Sequence, residues 1–237
     1  MAAPNGRIVV RAGSLIIVIP ARGGSKRLPG KNLKALAGRT LMERTADAIG
    51  ADGIDAPVLL TTDDDAIADA GRALGWRVPF RRPASLAEDE ASTEDTVVHA
   101  LDHFAADAGA DPDFLMLLQV TSPFRPPGLL RRGLDLLAAA ESVNAVLGVK
   151  ALARTPASLF RTADDGTLHA IDAEDRRSPV VTPNGAFYLV RTAAFRAARS
   201  FAPPPVLSLP MDGAANIDID TEDDWRAAET IAAARGL

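Results

Sequence analysis

Apolar residues along this chain fall into short solid runs and longer stretches spaced three and four apart. Ile16, Ile17, Val18 and Ile19 are β-branched residues in succession, the pattern of a strand buried on both faces inside a parallel sheet. Pro20 ends it. Thr40 and Glu43 have the spacing of a capping box, and Leu41, Met42, Ala46 and Ile49 follow at helical spacing, so a helix is expected to end near Gly50. A strand over Pro57 to Thr62 follows, then a helix opened by Asp63 to Asp65 and running to Leu74, with Gly75 as its stop. Trp76 to Phe80 reads as a third strand.

Ser92 with Asp95 opens the next helix, whose buried stripe is Val97, Val98, Leu101, Phe104 and Ala105. Phe114 to Leu118 is a strongly apolar strand, Leu129 to Ala140 a helix and Ala145 to Val149 a strand. Ala151 to Pro183 breaks the alternation and reads as an excursion from the core sheet or a dimer arm. Ala186 to Val190 and Val206 to Leu209 are strands, and Glu222 to Ala234 is the final helix. Strands alternating with helices predict an α/β fold with a mostly parallel sheet flanked by helices. The expected layout is a tail over residues 1–14 and one domain over 15–237 that includes the segment 151–183.

The loop after the first strand changes the picture from fold to chemistry. Ala21-Arg22-Gly23-Gly24-Ser25-Lys26-Arg27-Leu28-Pro29-Gly30-Lys31-Asn32 holds three glycines and four cations and no carboxylate. Glycines let main-chain N–H groups approach an anion, and the cations supply full charge, Arg gripping two oxygens at once. The plain alternative is a basic surface loop. Charge distribution argues against it: eight basic residues precede the first acidic one, Glu43, in a chain of net charge −5. A nucleoside-triphosphatase P-loop is excluded. Gly24 and Gly30 are separated by five residues rather than four, Asn32 stands where a magnesium-binding hydroxyl belongs, and Pro29 removes a donor.

Other candidates are weaker. Gln119, Ser122 and Arg125 follow the apolar strand and would face the same crevice, although Thr121-Ser122-Pro123 is also an ordinary turn. Asp218 and Asp220 share one face of an extended segment, which suits Mg²⁺ completed by phosphate and water oxygens; Asp220 or Thr221 capping the last helix is the competing account. The Asp63 to Asp65 triplet is read as capping. His99 and His103 have zinc-ligand spacing but lack a third ligand, and are read as helix-flank residues.

With 237 residues, 47% of them apolar and 24% charged, the chain can bury one full core. It has no cysteine, which excludes disulfides and thiolate chemistry. No apolar stretch is long enough to cross a bilayer, and Met1 to Ser14 lacks the apolar core of a signal peptide, so a cytoplasmic location is expected. An acidic balance with a single Tyr gives no support to nucleic-acid binding.

Several stretches in order resemble the cytidylyltransferases that activate acidic sugars, above all the acylneuraminate (CMP-sialic acid) cytidylyltransferases. They are Ile19-Pro20-Ala21-Arg22-Gly23-Gly24-Ser25-Lys26 with Leu28-Pro29-Gly30-Lys31-Asn32, Arg82-Pro83-Ala84 through Ala91-Ser92-Thr93, Gln119 with Thr121-Ser122-Pro123, Asn184-Gly185-Ala186 with Tyr188, and Ile217-Asp218-Ile219-Asp220-Thr221. The resemblance implies a Rossmann-like nucleotidyltransferase, CTP as donor, Mg²⁺ on Asp218 and Asp220, and a homodimer formed by the segment near Ala151 to Pro183. It further implies Arg22, Ser25 and Lys31 on the phosphates, Lys26 facing developing charge, and Ala21, Gly23 and Gly24 in the nucleotide loop. Asn32, Arg82 and Thr93 would contact cytidine. The acidic sugar would meet Gln119, Ser122, Arg125, Arg176, Arg177, Asn184 and Tyr188. The chain departs from that pattern on the acceptor side: Arg176-Arg177-Ser178-Pro179 is a shortened segment, and Thr182 stands where the family carries an Arg two residues before Asn-Gly. Sialic acid, another nonulosonic acid, a 3-deoxy-sugar acid, a phosphonate, or a nucleotide-binding module without turnover all remain open on these residues.

Overall fold

A computed structural model describes residues 14–153, 159–164, 166–170 and 179–237. Its centre is β1 (Leu15–Pro20), which lies between β5 (Phe114–Leu117) and β4 (Val58–Thr61) and runs parallel to both. The alternation along β1 explains its composition. Leu15, Ile17 and Ile19 enter one apolar cluster while Ile16 and Val18 enter the other, and all five are essentially inaccessible to solvent. A strand with two dry faces has no use for a polar position, and each such side chain is worth roughly 1.5–3 kcal/mol of burial.

The full sheet has the order β10-β6-β9-β5-β1-β4, adding β6 (Ala145–Ala151), β9 (Val181–Arg191) and β10 (Val206–Pro210). β9 is antiparallel to both its neighbours and the other pairings are parallel. The expected α/β architecture with a mostly parallel sheet is therefore the one observed. Two small ladders lie outside it: β2 (Ala35–Leu36) with β3 (Arg39–Thr40), and β7 (Phe160–Thr162) with β8 (Leu168–Ala170).

Helices cover both faces. On the side of Ile17 lie α1 (Leu41–Ala51), α2 (Asp65–Ala73), α4 (Leu129–Ala139) and α6 (Glu222–Ala234), through residues such as Met42, Ile67, Leu134 and Trp225. On the side of Ile16 lie α3 (Thr93–Ala108) and α5 (Thr192–Ala198), through Val97, Leu101 and Phe195. Their starts are set by local hydrogen bonds. Thr40 and Glu43 form the reciprocal box at α1, Ser92 accepts from the Asp95 N–H at α3, and Thr221 with Asp224 caps α6.

Three expectations change in detail. Trp76 to Phe80 is not a strand: Arg77 makes a single parallel bridge to Leu59, and Pro79 has no N–H with which to extend it. β9 begins at Val181 and carries Asn184-Gly185 within it. α5 was not anticipated. His99 and His103 pack with Phe80 in an aromatic cluster, with ring centroids 4.3–4.7 Å apart.

Candidate active site

Beyond the carboxyl ends of β1 and β5, where an open parallel sheet presents its ligands, lies a cleft of about 640 Å³. The loop after β1 forms one wall. Its shape comes from contacts with the start of α2: the Gly23 N–H donates to Asp63 Oδ1 at 2.9 Å, and a Cβ at Gly23 would lie 2.8 Å from that of Asp64. Only glycine fits there. Buried Asn32 donates from Nδ2 to the Arg22 carbonyl at 2.9 Å, which ties the two ends of the loop together. The Asp triplet is thereby accounted for without a metal. Asp63 holds the loop, Asp64 caps α2 by accepting from the Ile67 N–H, and Asp65 pairs with Arg81.

The loop has no carboxylate of its own, but the fold brings two to it. Asp89, in the loop before α3, accepts from Arg22 Nη2 at 2.7 Å and lies 2.5 Å from Lys26 Nζ. Those cations hold its carboxyl below the usual range, Lys26 contributing most. From the segment before α6, Asp220 receives Lys31 Nζ at 2.7 Å and Arg27 Nη2 at 2.8 Å, and Lys31 also donates to the Ile219 carbonyl at 2.9 Å. Burial opposes these contacts at Asp220, yet the net effect lowers its carboxyl.

Asp218 stands in contrast to its neighbour. Burial, together with the charge of Asp220, pushes its carboxyl up, against a hydrogen bond from Thr121 and the fields of Lys31 and Lys150. Its Oδ1 is buried without a hydrogen-bond partner. That orphaned oxygen beside the Asp220 carboxylate is a donor set suited to a hard divalent cation. No group of three His, Asp or Glu side chains able to hold a metal occurs among the described residues. A cation here would therefore depend on the oxygens of a bound phosphate, and the pair fits Mg²⁺ on those terms.

Of the residues singled out from the sequence, Ala21, Arg22, Ser25, Lys26, Lys31, Asn32, Arg82, Thr93, Gln119, Asp218 and Asp220 all line this cleft. Lys26 and Asp218, far apart in the chain, share it. Gly23 and Gly24 shape the loop without lining the cavity. Buried Arg82 donates to the Thr61 carbonyl and hydroxyl, and burial lowers its pKa to about 10.

Behind Gln119 is the Asn184-Gly185 turn. A Cβ at Gly185 would fall 2.6 Å from Gln119 Oε1 and 3.2 Å from Ser122 Oγ, and its φ of +80° is one that glycine tolerates. Asn184 is buried and bonded to Asn216 and the Ala186 N–H, and Tyr188 packs on Phe201 with its hydroxyl pushed up by burial. None of Ser122, Asn184 and Tyr188 lines the cleft, Ser122 being buried instead of facing it as expected. Arg125 has a different place from the one expected. It is partly buried, and its guanidinium donates to the carbonyls of Gln119, Ser122 and Ala186, so it holds the acceptor-side loop and does not line this cleft. Burial lowers its pKa to about 9, and it stays protonated at neutral pH. Arg176 and Arg177 lie outside the described residues. Asp89 was missed by sequence reasoning, since it sits in a loop of ordinary polar composition and only the fold brings it to the β1 loop; Asp63, read as capping, instead accepts from the Gly23 N–H, and Asp64 is the cap.

Known proteins resemble this chain along most of its length. The family profile described as cytidylyltransferase matches residues 16–188. The CMP-N,N'-diacetyllegionaminic acid synthase of Legionella pneumophila is 31% identical over 229 residues, covering 92% of this chain and 95% of that protein. The N-acylneuraminate cytidylyltransferase of Escherichia coli O18:K1:H7 is 30% identical over 223 residues, 92% of this chain but 52% of that protein, so the chain spans about half of its length. Among solved structures, a CMP:2-keto-3-deoxy-manno-octonic acid synthetase complexed with CTP superposes with a TM-score of 0.66 at 19% identity, covering 94% of this chain and 99% of that one. At that identity the likeness is one of fold.

Proposed function

The chain belongs to the cytidylyltransferase family, and from that premise we propose that it transfers CMP from CTP to the hydroxyl of an acidic sugar of the nonulosonic class, with Mg²⁺ as cofactor. One observation carries the reading: the cationic loop after β1 and the aspartates before α6 line a single cleft, joined by Lys31 and Asp220 at 2.7 Å.

In this reading Arg22, Ser25, Lys26 and Lys31 hold the triphosphate, and Asn32, Arg82 and Thr93 surround the cytidine. The acceptor hydroxyl oxygen forms a bond to the α-phosphorus, the bond to the β-phosphate oxygen breaks, pyrophosphate leaves and the hydroxyl proton passes to water. Asp218 and Asp220 would hold the Mg²⁺, which when bound neutralises phosphate charge. The side chains contribute position and charge, since phosphoryl transfer asks for little covalent chemistry from a protein. The Legionella relative, matched along nearly its whole length, favours a legionaminic- or sialic-type acid over an eight-carbon one.

Exposed Leu152, Leu168 and Val181 cluster by sequence around the β7–β8 hairpin and the neighbouring ends of β6 and β9, which supports a homodimer formed through the segment 151–183. No helix among the described residues is long and apolar enough to cross a membrane. Dependence on CTP favours a cytoplasmic location.

The test is pyrophosphate release from CTP and Mg²⁺ with a panel of nonulosonic acids, 3-deoxy-octulosonic acid as comparison, and UTP, ATP and GTP as alternative donors. Release with CTP and a nine-carbon acid is expected. Silence with every acid despite tight CTP binding would instead favour a binding module, and absence of CTP binding as well would refute the proposal.

A further inference from the structure

An acidic acceptor brings a carboxylate into the cleft, and resting on the reading just given, the question is which cation receives it. On the donor side Arg22 and Lys26 lie on Asp89, and Arg27 and Lys31 lie on Asp220. Arg82 and Arg125, the guanidiniums nearest the two halves, keep their charge but have N–H groups engaged by main-chain carbonyls. The first four cations are thus paired with carboxylates and the last two are held by the main chain.

Lys150, near the end of β6, has a different situation. It is half-buried and has no ion-pair partner within 4.0 Å among the described residues. It pairs in antiparallel register with Thr182 of β9. The register also shows where this end of β6 sits. Between Leu147 and Val149 the strand advances two residues while β9 runs from Tyr188 back to Pro183, so the extra residues, including Asn184 and Gly185, bulge from β9. β6 itself stays regular, and Gly148 and Lys150 share a face. A Cβ at Gly148 would lie 2.9 Å from Asn184 Oδ1, and a Cβ at Gly185 would lie 3.6 Å from Asp218 Oδ2. Lys150 thus stands on the face that carries the Asn184-Gly185 turn, outside the lining of the cleft, and a side chain of its length can pass along that face. Its field reaches Asp218, as do those of Lys31 and Arg125.

We infer that the Lys150 ammonium, carried opposite Thr182, binds the carboxylate of the acidic acceptor and so selects acids over neutral sugars. A lysine at the end of a strand is often no more than a solvated surface group. Partial burial, the lack of an ion partner among the described residues and the shared face with the turn behind Gln119 set this one apart. Lysine is a point charge rather than a fork, so it imposes charge on the acceptor without fixing the carboxylate plane.

Steady-state kinetics at saturating CTP and Mg²⁺ test this, using the full chain, a nonulosonic acid and its methyl ester. Lys150→Gln and Lys150→Ala are expected to raise KM for the acid roughly 10- to 100-fold, with KM for CTP unchanged. Lys150→Arg recovers part of the loss. The ester is a poor acceptor for the wild type and no poorer for Lys150→Gln. A wild type active on the acid, with an unchanged acid KM in Lys150→Gln, overturns this inference alone. A wild type that binds CTP but turns over no acid overturns the parent reading and this one with it.

Discussion

Lys31 Nζ lies 2.7 Å from Asp220 Oδ1, linking the loop after the first strand to the segment before the last helix across 189 positions of sequence. Lys31 is only 13% exposed while Asp220 is 40% exposed, so the pair is sheltered on the lysine side and open to solvent at the carboxylate. It joins the cationic loop and the aspartate pair of the cleft into one electrostatic unit.

Asp89 competes for the same cations that are proposed to bind phosphate. Asp89→Asn frees Arg22 and Lys26, so KM for CTP is expected to fall roughly two- to fivefold at low salt, with the difference shrinking as salt screens exposed charges. Initial rates across a salt series check this. A raised KM would instead make Asp89 part of the binding site.

Gly185 cannot carry a side chain. Gly185→Ala would press a methyl against Gln119 Oε1 at 2.6 Å in a backbone conformation of φ +80°, a strain of about 1–3 kcal/mol. A lower melting temperature is expected together with a weakened acceptor KM, because the displaced group is Gln119. Loss of stability with intact acceptor kinetics would separate the turn from the site.

Arg125 supports the acceptor loop from behind. Arg125→Met removes the guanidinium from three carbonyls, of which that of Gln119 keeps the Ser122 N–H, at a cost of about 2–4 kcal/mol, which in a chain of this size lowers the melting temperature by about 4–16 °C. Calorimetry decides. An unchanged melting temperature with a raised acceptor KM would return Arg125 to the binding surface.

The cap of α1 is expected to be pH-dependent. Main-chain and side-chain hydrogen bonds from Thr40 hold the Glu43 carboxyl below its ordinary value of 4.5. A carboxyl depressed in the folded state contributes stability above its unfolded pKa and loses it as pH falls through the folded value. Glu43→Gln should therefore be less stable than the wild type at pH 7, by about 0.5–1 kcal/mol, and the gap should close below about pH 4. Thermal melts at several pH values measure it.

Much of the fold was legible because β1, α1, α3 and α6 announce themselves locally, through a solid apolar run or a capping pair followed by helical spacing. What was not legible depends on distant partners. The antiparallel direction of β9 and its start at Val181 follow from pairing with β5 and β6, which no local pattern encodes. Trp76 to Phe80 had strand composition, but it has a neighbour only at Leu59. For the site, the cationic loop could be read directly because its charges are contiguous. Asp89 and Asp63 could not, since their roles arise only when the α2 and α3 loops fold against Gly23 and Arg22. Arg125 misled for the opposite reason: its place after β5 suited a ligand contact, and burial assigned it to carbonyls.

The central claim is that the triphosphate and its cation share the cleft that Lys31 and Asp220 both line. Calorimetric titration of CTP, with and without Mg²⁺, into the wild type, Lys31→Met and Asp220→Asn tests it most directly. Because Asp220→Asn also frees Lys31 and Arg27, the quantity to compare is the gain in affinity that Mg²⁺ brings. The wild type should gain roughly tenfold or more, Asp220→Asn should lose that gain, and Lys31→Met should bind CTP more weakly in both conditions. Equal CTP affinity in all three proteins, indifferent to Mg²⁺, would contradict the account.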